Sequence, residues 1–393
     1  MRFVFLATGL LFVFFVAWLF SNDRKNVKFK RMAILFTLQI VISYFCLNTK
    51  IGIKILSGIS GFFGWLMEQA AGGINFVFGG LVIKNGASVF FLNVLMPIVF
   101  ISALVGILNY IKVLPFIIKW TGRGLNKIGH MGELESYLAV STAVLGQPEV
   151  YLTVLDEIPR LNEKRLYTIC ASGMSSVSAS ILASYMKLIP GRFVVVAVFL
   201  NILSALIVYC VINPYDVDPN NDIVNIQMEK KPFFEMLGNY IMNGFNMAIT
   251  VAAMLIGFVA LVTFLNSTFT ALLHISFTTI IGYVFAPIAW VMGVSSQDVV
   301  KVGSLMAEKL IANEFVAMGD LHSFSTELTA KSHAIISAYL VSFANFGTLG
   351  NIIGSMRTID KHQASKVAKF AMKLLLGATL ASILTGTIVG VYY

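Results

Sequence analysis

The sequence predicts an all-α polytopic membrane protein of about eight transmembrane helices plus two re-entrant helical hairpins that form an inverted repeat. Three observations predict it. Apolar runs of spanning length recur along the chain, charge is scarce and lies in short clusters between them, and two stretches repeat one order of breaks and carboxylates. Hydrophobic residues make up 58% of the 393 positions and charged ones only 12%, where a soluble domain carries about 25%. The mean hydropathy is +0.84. A hydrocarbon core of roughly 30 Å takes about 20 apolar residues per helix, so a chain this apolar crosses repeatedly instead of burying one large core.

Apolar runs long enough to span lie at 3–20, 32–48, 88–108, 166–189, 192–213, 241–268, 333–356 and 368–392. The first exceeds a signal-peptide core and ends in Trp18-Leu19-Phe20 with no small-residue cleavage site, so it reads as a retained helix. Between the runs, 51–82, 112–158 and 275–325 are apolar but broken by Gly, Pro or charge. These read as interfacial or re-entrant segments, whose irregular backbone must be satisfied by protein or water.

The net charge of +9 does not point to nucleic acid, because the basic residues form loop clusters with no basic-aromatic module. The clusters are Arg24 to Arg31, Lys112 to Lys127 and Arg357 to Lys369, and an excess of Lys and Arg marks the cytoplasmic side. Eight crossings satisfy all three with both termini outside. The 214–232 loop then also falls inside despite Asp216, Asp218 and Asp222, since acidic residues count for little in this rule. Cys46, Cys170 and Cys210 sit in apolar segments and read as small buried hydrophobes. His130, His274, His322, His333 and His362 are dispersed without ligand spacing, and no phosphate-binding Gly-rich loop occurs.

Comparing the halves organises the chain. A broken region holding Glu149 precedes a helix interrupted at 175–180 and then a crossing; a broken region holding Glu314 precedes a helix interrupted at 345–350 and then the last crossing. With the topology above, the two hairpins enter from opposite sides, and the solute site falls where the broken helices meet near the midplane. The expected organisation is N-terminal helices over 1–50, an interfacial and a scaffold helix over 51–110, a first repeat over 111–213, a loop and scaffold helix over 214–274, and a second repeat over 275–393.

Gly146-Gln147-Pro148-Glu149 turns or unwinds the backbone and presents an amide beside a carboxylate. Gln147 donates and accepts while Glu149 accepts, which matches the edge of a heterocyclic base. The same four residues would also serve as a solvated loop, but a Glu at membrane depth costs about 2.5 kcal/mol or more and is functional by default. Asn313-Glu314-Phe315 lies in an apolar run with Glu308 and Lys309, which can pair with each other, or Lys309 with Glu314. A carboxylate beside a carboxamide suits sugar hydroxyls. The run 342–348 sets Asn345, Gly347 and Thr348 between apolar turns, and 172–180 is rich in Ser; either reads as an ion or ligand site or as small-residue helix packing.

These motifs, in this order, resemble the concentrative nucleoside transporter family. The likeness rests on Gly146-Gln147-Pro148-Glu149, Asn313-Glu314-Phe315-Val316-Ala317 and Ser342-Phe343-Ala344-Asn345-Phe346, with Gly132-Glu133-Leu134-Glu135-Ser136 ahead of the first hairpin and a start like the bacterial branch. It implies a homotrimer in the cytoplasmic membrane, importing nucleosides by ion-coupled symport with an elevator motion, and no cofactor beyond the coupling ion, H⁺ or Na⁺. Carried over by position, Gln147 and Glu149 read the base with Ile181 beside it, Glu314 and Asn345 hold the ribose, and Phe343 lines the sugar pocket. Thr348 stands where Ser is usual, and Pro148 replaces a hydroxyl residue. Thr142, Leu145, Ser175 and Ser176, with Glu149 and Glu314, are the ion-coupling candidates, and a Na⁺ site would use Thr142, Leu145 and Ser176. Thr142 stands where sodium-coupled members carry Asn, and a desolvated carboxylate can bind and release a proton near neutral pH, so H⁺ is the expected ion. An enzyme is not expected: a membrane-embedded carboxylate hydrolase would need a water-activating dyad or metal, and a passive channel would move solute only downhill.

Overall fold

The computed structural model of the chain describes residues 2–79, 89–129, 132–216 and 231–393, with backbone alone at 129, 147 and 148. Asp218, Asp222 and His130 therefore lie outside the described residues, as does the Gln147 side chain. Among the described residues the structure is helical with no strands. Among the described residues eight helical segments are long and apolar enough to cross a membrane, the one over Glu163–Leu188 counted as a single segment.

The N-terminal part comprises α1 (Arg2–Leu19), α2 (Phe29–Asn48) and α3 (Lys50–Phe78). Thr49 ends α2 and caps α3, its hydroxyl accepting from the Gly52 amide at 3.0 Å. The stretch read as an interfacial or re-entrant segment from 51 onward forms one continuous helix of 29 residues, α3, long and apolar enough to span. A Cβ at Gly58, Gly61, Gly64, Gly72 or Gly73 would meet nothing within 4 Å outside the helix's own backbone, and a helical glycine weakens a helix by about 1 kcal/mol without breaking it.

A π-helical turn (Phe91–Leu95) leads into α4 (Pro97–Tyr110), where Pro97 sits at the helix start that tolerates a missing N–H. Then come α5 (Val113–Gly129), α6 (Glu133–Ser141), α7 (Gln147–Leu152), α8 (Glu163–Ser175), α9 (Ala179–Leu188) and α10 (Gly191–Ile212). The second half follows the same order: α11 (Phe233–Leu273) packs on α4, and α12 (Phe277–Val291) pairs with α13 (Val299–Ile311) as α5 pairs with α6. Next are α14 (Glu314–Ser323), α15 (Ala330–Leu340), α16 (Phe346–Ile359), α17 (Lys361–Lys369) and α18 (Ala371–Val389). The run 333–356 is thus two helices, neither long enough to span. Its break falls at 341–345, ahead of the expected 345–350, because Asn345 caps α16 and keeps Gly347 and Gly350 helical.

The core lies where α10 and α18 pack together, against α2, α15 and α8. Gln39 of α2 donates to the Leu200 carbonyl and to Ser204, and Ser204 meets Thr385 at 2.8 Å. At one end of the bundle Asn22 donates its amide to the Ile212 carbonyl, Lys373 bonds Asn22, and Lys28 and Arg31 reach Asp216 at 2.6 and 3.5 Å. The Lys28 hydrogen bond holds the Asp216 carboxyl below the ordinary aspartate range. Asp216 and the first basic cluster therefore share one end, as the charge pattern requires.

Candidate functional site

Each half supplies a pair of helices joined by a sharp break and a helix that stops and restarts. In the first, α6 ends at Ser141 and α7 restarts after Gly146, whose φ of 122° only glycine adopts without strain. The Val144 carbonyl accepts from the Ala179 amide at 3.3 Å, which ties this break to the restart of α9. In the second, Asn313 caps α14 through the Val316 amide, and Asn345 caps α16 through the Thr348 amide at 2.8 Å. Both breaks leave backbone groups unused by helices, and the four segments converge.

Between them lies a cavity of about 570 Å³, within the size range of small-ligand sites. Glu149, Leu145 and Gly146 reach it from the first hairpin, Ile181 and Ser180 from α9, Glu314 and Phe315 from the second hairpin, and Phe343, Asn345 and Thr348 from the α15–α16 break. Glu314 is 4% exposed, and its two oxygens are held separately: Tyr185 of α9 donates to Oε1 at 2.7 Å and Asn345 donates to Oε2 at 2.9 Å. One carboxylate thus joins the two halves at the cavity wall, with lone pairs remaining for a ligand hydroxyl. Phe315 meets Tyr185 edge-on at 5.0 Å and fixes the phenol.

Of the two pairings open to Lys309, neither forms as a direct ion pair: its ammonium contacts no oxygen of Glu308 or Glu314. Lys309 is fully buried, and its ammonium bonds the Tyr339 carbonyl and the Ser342 and Ser382 hydroxyls. A lysine facing the helix surface would meet Glu308; this one turns inward toward the break.

Ile181, Glu149, Glu314, Phe343, Asn345, Thr348 and Leu145 all line the cavity. Thr142 is buried, and its hydroxyl donates to the Leu138 carbonyl at 2.9 Å and to that of Ala139. Ser175 shares a 2.6 Å hydrogen bond with Tyr209 and donates to the Ala171 carbonyl, and Ser176 donates to that of Ser172. These three stand behind the cavity wall. Among the described residues no three His, Cys, Asp or Glu side chains gather to hold a metal ion.

Sequence reasoning missed Tyr185 and the polar stripe Asn243, Asn246 and Thr250 on α11, which closes the far side of the cavity. Asn243 and Glu149 line the same cavity. The stripe was readable: its members are three and four residues apart in an apolar helix, hence on one face.

Sequence models of known families cover the chain in three pieces. Residues 193–390 match the C-terminus and 8–81 the N-terminus of the Na⁺ dependent nucleoside transporters, and 91–191 match a nucleoside-recognition domain. The chain belongs to the concentrative nucleoside transporter family. Among its relatives are the purine nucleoside transport protein NupG of Bacillus subtilis, 35% identical with each chain fully covered, and the putative nucleoside permease NupX of Escherichia coli, 31% identical over 98% of this chain and 97% of that one. Of solved structures, CNTnw in an inward-facing substrate-bound state superposes with a TM-score of 0.94 at 28% identity, covering 100% and 99% of the two chains. A CNTnw variant in an outward-facing state also gives 0.94, at 27% identity over 100% and 98%. Like its relatives, this concentrative nucleoside transporter is a multi-pass membrane transporter and not an enzyme.

Proposed function

We propose that this protein imports nucleosides across the cytoplasmic membrane as an ion-coupled symporter. The observation that carries the reading is Glu314, buried at the cavity wall, with Tyr185 from one half and Asn345 from the other holding its oxygens. A ribose diol offers two donors to those lone pairs, and Glu149 across the cavity can accept from a base N–H. The Bacillus subtilis relative is named for purine nucleosides, so adenosine and inosine are the first substrates to test beside uridine.

In this reading the segments 133–152 and 299–323 are re-entrant hairpins of an inverted repeat, and they move with the broken helices as an elevator. Three copies assemble around apolar helices left exposed in one chain. The coupling ion is H⁺: Thr142 offers a hydroxyl directed into its own helix, while Glu149 and Glu314 are carboxylates within the site. Uptake of labelled nucleoside into liposomes, with the proton and sodium gradients imposed one at a time, tests both parts. Accumulation above the external concentration driven by the proton gradient alone is expected. Equilibration without accumulation would make it a channel, chemical alteration of the nucleoside would make it a hydrolase, and accumulation that follows sodium alone would replace H⁺ by Na⁺.

A further inference from the structure

A lysine with no exposed surface inside a membrane protein demands an explanation, since an ammonium removed from water persists only where oxygens replace its hydration. The Lys309 ammonium has such a shell: the Tyr339 carbonyl at 2.6 Å, the Ser342 hydroxyl at 2.7 Å and the Ser382 hydroxyl at 3.2 Å. Ser342 and Ser382 also meet each other at 2.7 Å, and the ammonium lies 4.2 Å from the centre of the Tyr339 ring. No carboxylate pairs with it within 4 Å among the described residues. The bonded groups come from three elements, namely α13, the end of α15 with its break, and α18.

Position within the repeat adds a second observation. Lys309 stands four residues ahead of Asn313, the cap of α14; Thr142 stands four residues ahead of Gly146, the cap of α7. Lys309 lies in the last turn of α13 and Thr142 caps the end of α6, so each precedes the turn of its hairpin. The first half therefore has a short hydroxyl at the place where the second half carries a charge covalently.

We propose that Lys309 is a built-in cation that braces the second hairpin against the α15–α16 break, and that it is a positioning residue for Phe343 and Asn345. The brace acts at both edges of the stretch that bears them. It holds the Tyr339 carbonyl at the last turn of α15 and the Ser342 side chain one residue before Phe343. Asn345, three residues further on, then presents its amide to Glu314. Loss of the ammonium leaves a buried carbonyl and two hydroxyls short of their donor and lets the break relax. The charge acting on it is that of Glu314 on its own hairpin, which it offsets without touching.

This inference rests on the nucleoside reading, and the experiment separates the two. Lys309→Ala, Ser342→Ala and Ser382→Ala are compared with wild type for equilibrium binding of labelled adenosine in proteoliposomes, with and without methylammonium. Hydrogen exchange at 341–345 is followed without ligand. We expect Lys309→Ala to raise the Kd roughly tenfold or more and to speed exchange at the break, with methylammonium reversing part of both by refilling the vacated shell. The two serine variants should each weaken binding about two- to fivefold. Unchanged exchange at 341–345 in an inserted Lys309→Ala protein overturns the brace, as does unchanged binding in both serine variants should Lys309→Ala fail to insert. A wild type that binds no nucleoside tells against the proposed function instead, and the exchange comparison still decides the brace.

Discussion

Glu314 shows how much one residue can reveal before a structure exists. A carboxylate flanked by apolar turns is conspicuous because hydrocarbon tolerates it only beside partners or a polar cavity. Glu149 and Asn345 are legible for the same reason, and all three line the cavity. Their partners are not, since a tyrosine such as Tyr185 is as much at home in a core as at a site, and only its 2.7 Å bond to Glu314 tells which. That geometry makes Glu314→Gln informative. Asn345 can only donate through its amide nitrogen, so the new carboxamide can turn its oxygen to Asn345 but then faces its own NH₂ toward the tyrosine and keeps no charge for a ligand diol. We expect the KM for nucleoside to rise roughly 10- to 100-fold, with the protein still inserted at wild-type abundance. Concentration-dependent uptake beside a membrane immunoblot measures this, and an unaltered KM would make Glu314 a structural residue.

Among the elements, the first hairpin is anchored by a pair that spacing alone does not disclose. Arg165 of α8 clasps Glu135 of α6 through Nε at 2.6 Å and Nη2 at 3.0 Å, and Tyr215 adds a third bond to the same carboxylate. Glu135 is 1% exposed, so losing the arginine would strand a charge; breaking a buried pair costs about 3–5 kcal/mol. Arg165→Met should lower the melting temperature in detergent and reduce uptake, and adding Glu135→Gln should recover part of the stability by removing the stranded charge. A double variant no more stable than the single one would show that the pair does not fasten the hairpin. The same scale holds the sequence reading's two misplacements. Glycines along α3 looked like breaks because residue type does not say whether neighbours crowd the backbone; Gly52 is crowded by the Phe45 carbonyl, while a Cβ at Gly58, Gly61, Gly64, Gly72 or Gly73 would meet nothing within 4 Å. The second break lies at 341–345 because a single side chain, Asn345, starts the next helix earlier than its glycines suggested.

For the molecule as a whole, α11 is the outlying feature. Its 41 residues make a rod of about 60 Å, twice the hydrocarbon thickness, and Phe234, Ile256 and Leu272 on it are largely exposed. A helix this long that rests on α4 and α12 with open apolar faces suits a scaffold shared between copies while the hairpins move. We expect native mass spectrometry of the detergent-purified protein to give the mass of three chains. A monomer at concentrations that support uptake would remove the trimer from the mechanism.

Composition and spacing by themselves determined that this is a membrane protein of long apolar helices, and singled out Glu149 and Glu314, both of which line the cavity. Those are consequences of transfer free energy, which each segment expresses on its own. Only the tertiary structure decided the partners: Tyr185 with Glu314, Arg165 with Glu135, and Lys309 with the oxygens of a break some thirty residues away. In hydrocarbon a polar group has to find a mate, but the choice among many possible mates depends on which helix faces meet, and that follows from packing across the chain.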